Sequence, residues 1–307
     1  MGPGLDISKM RALLPELEIY DDTSQDEAVE RIGDAVIALG NKIRLDNAAF
    51  EACPNLRFIG VTATGTDNID LVAARERGIA VANIRAYCTQ SVVEHVFGCL
   101  LNLTHRLSTY ARDVRGGAWS DANNFCMMTY PFEELSAMTL GVVGYGALGK
   151  GVVRMADSFN MNVIVSARPG SSEAPEGRVL FDELLRQADV ISLHCPLNDQ
   201  TRGLFGAAEF KAMKTTAILI NTARGGLVDS QALADALRDE DIAAAAIDVL
   251  PEEPPVHGDP LLDYRGDNLM VTPHIAWGTR QARQAAIDEL TENIAAFMEG
   301  RERNRVV

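Results

Sequence analysis

Three stretches of the chain set a side chain able to do chemistry directly after a short apolar run. Asn221-Thr222-Ala223-Arg224-Gly225-Gly226 follows the run at 217–221. Asp248-Val249-Leu250-Pro251-Glu252-Glu253 follows 244–248, and Thr272-Pro273-His274-Ile275-Ala276-Trp277 follows 269–272. An arginine fork binds a carboxylate through two parallel hydrogen bonds. Histidine gives or takes a proton near neutral pH, and a carboxylate beside it orients the ring and favours its cationic form. Taken singly, each residue has an ordinary reading: His274 a packed loop histidine, Glu253 a solvated acid, Arg224 a surface cation. Taken together, Arg224, Glu253 and His274 fall at the carboxyl ends of three successive strands, the edge where open α/β sheets hold their ligands. They form the candidate catalytic set.

A second motif supplies a partner for that edge. Gly144-Tyr145-Gly146-Ala147-Leu148-Gly149 is a Gly-x-Gly-x-x-Gly string placed directly after the apolar run 140–143 and opening a helical pattern. The first glycine permits a tight turn, the second lets the backbone approach a pyrophosphate, and the third lets the helix pack close to the sheet. The helix start adds unpaired N–H groups and the positive end of the dipole. The acid that normally holds the adenosine ribose belongs about 20 residues further on. That place is taken by Ala167, followed by Arg168. Arg168 pairs with a phosphate, and Ser166, Ser171 and Ser172 add hydroxyls, so the pattern favours NADP over NAD, with NAD as the alternative.

The elements that must position these residues alternate in kind. Strand-like runs lie at 140–143, 162–165, 190–193, 217–221, 244–248 and 269–272, apolar throughout as strands buried on both faces are. Helical patterns fall at 147–159, 181–187 and 230–238, the last led by Asp229 as N-cap. This is the count of a doubly wound six-stranded parallel-sheet cofactor domain, spanning 87–275. Residues 1–86 repeat the α/β theme on a smaller scale, with strands at 36–39, 58–61 and 79–83 and short helices at 48–52 and 71–77. They form a smaller α/β domain together with 276–307. The helical pattern 279–298 stops at Gly300 and crosses back to it. Between the halves, one long helix is expected from Ser91, with Ser91 and Glu94 as a capping box and its end at Gly116-Gly117. Its off-stripe residues Val93, Phe97 and Leu101 ask for a second partner, which predicts a homodimer through 91–116.

Composition narrows the class. The 307 residues carry a formal charge of −15, with 47% hydrophobic and 23% charged residues. That excludes disordered and collagen-like chains, and the negative charge argues against nucleic acid or an anionic membrane as partner. No long uncharged apolar run suggests a membrane span. Five cysteines at irregular spacing fit neither a disulfide framework nor a metal site, and read as reduced thiols in a cytoplasmic protein. His95 and His105 read as structural residues of the long helix, His194 as a neighbour of the cofactor, and His257 as a solvated loop residue.

The strings VTATGTDNID (61–70), YCTQSVVEHVFG (87–98), LGVVGYGALGKG (140–151), LINTARGGLVD (219–229), AAIDVLPEEPP (245–255) and NLMVTPHIAWGTRQAR (268–283) resemble, in order, the D-isomer-specific 2-hydroxyacid dehydrogenase family. Within it the chain is most similar to bacterial glycerate dehydrogenases, also called hydroxypyruvate reductases, a likeness shared by 124–131 before the phosphate loop. The resemblance covers nearly the whole chain. It departs at the start, where relatives carry an apolar strand ahead of the stretch found here at 2–6.

The resemblance implies hydride transfer between NAD(P)H and a small 2-keto acid, hydroxypyruvate- or glyoxylate-like, to give a D-2-hydroxy acid. It also implies that 1–86 with 276–307 is the flavodoxin-like substrate domain, the second of two Rossmann-like domains. Arg224, Glu253 and His274 match the catalytic trio. Thr64 and Gly65 match the loop that receives the substrate carboxylate, Lys42 adds charge there, and Trp277 closes over the site. Asp248 matches the acid that holds the nicotinamide carboxamide. Thr222 and Ala223 line the cofactor, with Cys195 and Pro196 after the third strand. The same fold also serves formate- or phosphite-type dehydrogenases and dinucleotide-sensing co-repressors. Formate enzymes lack the partner that Glu253 supplies.

Overall fold

The computed structural model describes Gly2 and residues 4–307. The chain divides into two compact units, Met1–Cys88 with Gly278–Val307, and Thr89–Trp277.

The first unit holds a three-stranded parallel sheet, β1 (Ile37–Gly40), β2 (Phe58–Val61) and β3 (Ala80–Ala82), in the order β1-β2-β3. β2 and β3 are buried throughout. The Asn47–Ala52 and Leu71–Glu76 helices start on aspartate caps: Asp46 accepts from Ala49 N–H, and Asp70 from Val72 and Ala73 N–H. The C-terminal helix Arg280–Met298 belongs to this unit and is capped by Thr279. It covers one sheet face so closely that a Cβ on Gly60 would lie 2.6 Å from the Leu290 side chain. Two short helices, Ser8–Leu13 and Ala28–Ile32, were not foreseen in the sequence; at six and five residues they are too short to show a clear 3.6-residue period.

The second unit holds a six-stranded parallel sheet: β4 (Thr139–Val143), β5 (Asn162–Val165), β6 (Val190–Leu193), β7 (Ile218–Asn221), β8 (Ala244–Ile247) and β9 (Leu269–Val271). Each strand lies within one residue of the expected run. The order is β5-β4-β6-β7-β8-β9. Beyond β5, Val179 makes a single parallel bridge to Ser166. Counting that vestigial strand, the order contains the 3-2-1-4-5-6 series of the doubly wound dinucleotide fold, with its direction reversing between β4 and β6. This strand is not legible in the sequence, because one bridged residue carries no periodicity.

One expectation is corrected. The long helix is two: Thr89–Thr104 and Leu107–Arg115, broken where Arg106 adopts a left-handed backbone with φ +52°. Thr104 Oγ1 donates to the Leu100 carbonyl, while Asn102 Oδ1 accepts from both Ser108 N–H and Ser108 Oγ, capping the second segment from within the first. The Ser91–Glu94 capping box does not form, because the helix already starts at Thr89 and the Ser91 hydroxyl donates to the Ala276 carbonyl at 2.6 Å. The off-stripe residues Val93 and Phe97 are buried within this same unit. Phe97 stacks on Phe159 at 5.3 Å, and Val93 lies against Gly151. All five cysteines are free. Among the described residues, no helix is long and apolar enough to cross a membrane.

Candidate active site

The phosphate loop links the end of β4 to the Ala147–Ser158 helix, and its three glycines meet three different constraints. Gly144 has φ +98°, and a Cβ there would lie 2.5 Å from His194 C and Cys195 N, so the turn presses on the segment leaving β6. A Cβ on Gly149 would lie 2.1 Å from the Gly144 carbonyl oxygen, which fixes the helix against the loop. Gly146, the helix N-cap, has nothing within 4 Å of its Cβ position. Tight turn, close packing and open approach thus fall on the three glycines in the order a pyrophosphate needs. The loop sits at the reversal in strand order, where open sheets place their ligands.

Two buried polar atoms near these strand ends have no partner among the described residues: Thr222 Oγ1 after β7 and His194 Nδ1 after β6. Unpartnered buried polar atoms are costly, and a polar ligand along the sheet edge supplies what they lack. These features fit a dinucleotide. Ala223 and Cys195 are buried and Pro196 is exposed on the same edge. Burial pushes the Cys195 thiol up to about 11, so it packs beside the loop as a neutral group. Burial also lowers the His194 pKa to about 4, while its Nε2 pairs with Ser192 Oγ at 2.8 Å; His194 is a neutral structural ring.

At the end of β5, Ala167 is 2% exposed and its N–H donates to the Val179 carbonyl. The Ser166 hydroxyl, expected to add a hydrogen bond to a phosphate, is buried and donates to the Ala167 carbonyl at 2.6 Å. Arg168, Ser171 and Ser172 are exposed. A cation absent from the sequence reading also lies here. Arg178 donates to the Ser166 carbonyl at 3.1 Å, and its guanidinium carbon stands 5.3 Å from the Tyr145 ring centroid.

On the opposite side of the reversal, His274 Nδ1 and Glu253 Oε2 are 2.6 Å apart, with both side chains about one-quarter to one-third exposed (30% and 26%). Both sit on loops, so their alignment needs a cause. Glu253 Oε1 accepts from Leu250 N–H at 3.0 Å, holding its carboxylate inside its own turn. His274 has φ +53°, a left-handed conformation uncommon outside glycine and asparagine. Its N–H donates to the Asp248 carbonyl at 2.8 Å. Asp248 is 2% exposed; its carboxylate accepts from the Thr272 hydroxyl and from Ile275 and Ala276 N–H at 2.5–2.9 Å. The bend that presents His274 is therefore clamped by Asp248. Charged acceptors give strong hydrogen bonds, and strained backbone persists only when its surroundings over-determine it. Asp248 was read in the sequence as a cofactor ligand alone; the structure adds this clamp.

Arg224 follows β7. Its Nη1 donates to the Ala223 carbonyl, and Asn221 Nδ2 donates to the Arg224 carbonyl. A Cβ on the next residue, Gly225, would lie 2.0 Å from the Leu250 carbonyl carbon. The Arg224 turn and the Glu253 turn are thus in backbone contact, a closeness only glycine allows. Trp277 ends this unit.

The remaining expected residues lie in the first unit. Lys42 is exposed in the turn after β1. Thr64 and Gly65 follow β2; the Thr64 hydroxyl donates to the Ile84 carbonyl at 3.0 Å, and the Thr64 carbonyl accepts from Asn83 Nδ2 at 2.6 Å.

Comparison with known proteins agrees with this geometry. The sequence profile of the D-isomer specific 2-hydroxyacid dehydrogenase NAD binding domain matches residues 97–276. Over 292 residues the chain is 42% identical to glycerate dehydrogenase of Methylorubrum extorquens, covering 95% of this chain and 92% of that one. It is 37% identical to hydroxypyruvate reductase of Blautia hydrogenotrophica, over 98% and 94% of the two chains. Among solved structures, the acyclic imino acid reductase Bsp5 in complex with NADPH and D-Arg aligns with TM-score 0.85 at 28% identity, over 97% and 95% of the chains.

Proposed function

The chain belongs to the D-isomer-specific 2-hydroxyacid dehydrogenase family, and from that premise we propose how its own residues carry the reaction and which cofactor it prefers. It is an oxidoreductase that moves a hydride between a nicotinamide dinucleotide and a 2-keto or 2-hydroxy acid. The observation that carries the residue assignment is the 2.6 Å contact between Glu253 and His274 at the ligand edge of a sheet that also bears the phosphate loop.

In our reading His274 gives a proton to the keto oxygen during reduction and takes it back during oxidation. Glu253 accepts from Nδ1, which leaves Nε2 to exchange that proton. Arg224 grips the substrate carboxylate as a fork. Thr64, Gly65 and Lys42 receive the same carboxylate, and Trp277 shields it from water. The segment 144–149 holds the pyrophosphate, with Thr222, Ala223, Cys195 and Pro196 along the cofactor. When bound, the cofactor supplies the hydride acceptor or donor. The substrate domain is 1–86 with 276–307, and the dinucleotide domain is 87–275.

The preferred cofactor is NADP(H). An acid at position 167 would accept the ribose hydroxyls of NAD and repel a 2′-phosphate; Ala167 does neither, and Arg168 is exposed beside it. The preferred substrates are hydroxypyruvate and glyoxylate, the enzyme is a homodimer, and its five free thiols suit a reducing cytoplasm. The test is kcat/KM over glyoxylate, hydroxypyruvate, pyruvate and phenylpyruvate with NADPH and with NADH. Hydroxypyruvate or glyoxylate with NADPH should lead. A tenfold preference for NADH would reject the cofactor assignment, and a lead for phenylpyruvate the substrate assignment.

A further inference from the structure

We propose that Arg178, held flat against Tyr145, is a specificity-determining residue that receives the 2′-phosphate of NADP(H), an assignment that rests on the NADP preference above. Arg178 sits ten residues beyond Arg168 in sequence, across a loop rich in Pro, Gly, Ser and Glu, so spacing alone does not connect it to the cofactor. The fold does. Val179 pairs with the end of β5: its N–H donates to the Val165 carbonyl at 3.0 Å, and its carbonyl accepts from Ala167 N–H at 2.7 Å. This pairing pins the Arg178 backbone beside Ser166 and Ala167, where the ribose-holding acid of an NAD site would stand.

The side chain is oriented as well. Nη1 donates to the Ser166 carbonyl at 3.1 Å, and the guanidinium lies within cation–π range of Tyr145, the second residue of the phosphate loop. Lys150 lies at 5.7 Å from the same ring. Arg178 thus spans the end of β5 and the phosphate loop, the two places between which an adenosine ribose lies in this fold. Among the described residues its partners are a neutral carbonyl and a neutral ring. The acids of its own loop, Glu173 and Glu176, are exposed and form no ion pair with it among the described residues. The charge is positioned but uncompensated, and its remaining N–H groups suit the bidentate geometry of a phosphate. A lysine offers a point charge without that fork, so the site distinguishes the two cations.

The experiment measures dissociation constants of the full chain by calorimetry. The probes are adenosine 2′,5′-bisphosphate, 5′-AMP, NADPH and NADH, each tested against wild type, Arg178→Ala, Arg178→Lys and Tyr145→Leu. Wild type should bind the bisphosphate at least tenfold more tightly than 5′-AMP. Arg178→Ala should weaken bisphosphate and NADPH binding at least tenfold and move 5′-AMP and NADH less than threefold. Arg178→Lys should recover part of the loss, and Tyr145→Leu should lose less than Arg178→Ala. Unchanged 5′-AMP binding certifies that the two Arg178 variants are folded, and an unchanged thermal unfolding midpoint does so for Tyr145→Leu. If wild type keeps its preference and Arg178→Ala leaves it intact, the assignment of Arg178 is overturned while the NADP reading stands on Arg168. If wild type binds the bisphosphate no better than 5′-AMP, the NADP reading falls and takes this inference with it.

Discussion

At the scale of single residues, the candidate site divides into groups we propose to react and groups that hold them. His274 and Glu253 were readable in the sequence because each follows an apolar strand at the sheet edge. The second task of Asp248 was not, since its three donors, Thr272, Ile275 and Ala276, lie on the segment after the next strand. Arg178 was hidden for the same reason, brought to the cofactor edge by pairing at Val179 and not by a motif. His194 shows how burial sets behaviour with pH. Its pKa is lowered by burial from 6.5 to about 4. The unfolded chain therefore binds the proton first, and the stability tied to the neutral ring is present above pH 6.5 and lost as pH falls towards 4. Between pH 7 and pH 5 this accounts for about 2 kcal/mol of unfolding free energy. Urea unfolding of wild type and His194→Asn at both pH values checks this: the variant should lose distinctly less stability on acidification. Equal losses in the two proteins would remove His194 as the cause.

At the scale of elements, strands were read within a residue and the long helix was not. Continuous apolar runs flanked by turn residues report buried parallel strands directly. The break at Arg106 turns on a cap delivered from six residues upstream, Asn102 to Ser108, which a helical period does not reveal. The phosphate loop gives a paired prediction. Gly149→Ala forces a Cβ to within 2.1 Å of the Gly144 carbonyl, whereas Gly146→Ala meets nothing within 4 Å. Gly149→Ala should lower the melting temperature of the cofactor-free enzyme by several degrees, as expected for a loss of about 1–3 kcal/mol by overpacking. Gly146→Ala should melt like wild type yet bind NADPH at least tenfold more weakly. Differential scanning calorimetry and fluorescence titration separate the two outcomes; equal melting behaviour in both variants would contradict the division of roles.

At the scale of the whole molecule, the sequence reads as two α/β series, and the structure divides into two compact units, Met1–Cys88 with Gly278–Val307 and Thr89–Trp277. The apolar surface did not follow the reading. Val93 and Phe97, which suggested a second partner, are satisfied inside their own unit. Among the large apolar side chains left exposed, six fall in one stretch of the chain, 107–132: Leu107, Val114, Trp119, Phe125, Met128 and Phe132, with Phe125 and Met128 at 90% and 84% exposure. Exposed apolar patches of this kind mark association surfaces. The homodimer we propose therefore uses 107–132, which takes in the C-terminal end of the 91–116 region and continues past it. Light scattering at micromolar concentration should give twice the chain mass, and a Phe125→Glu, Met128→Glu double variant should shift it towards the monomer. A monomeric wild type would end the proposal.

The proposed reaction turns on proton transfer by His274. The most direct measurement is single-turnover oxidation of NADPH by His274→Ala with glyoxylate and with hydroxypyruvate, alongside the affinity for NADPH. Removal of a general acid lowers the rate by about 10²–10⁴-fold, and because His274 lies after β9, away from the phosphate loop after β4, NADPH affinity should stay within about twofold of wild type, a change too small to affect the rate comparison. A His274→Ala enzyme that keeps more than about one-third of the wild-type rate would contradict the assignment, since a loss that small is far below what a general acid contributes.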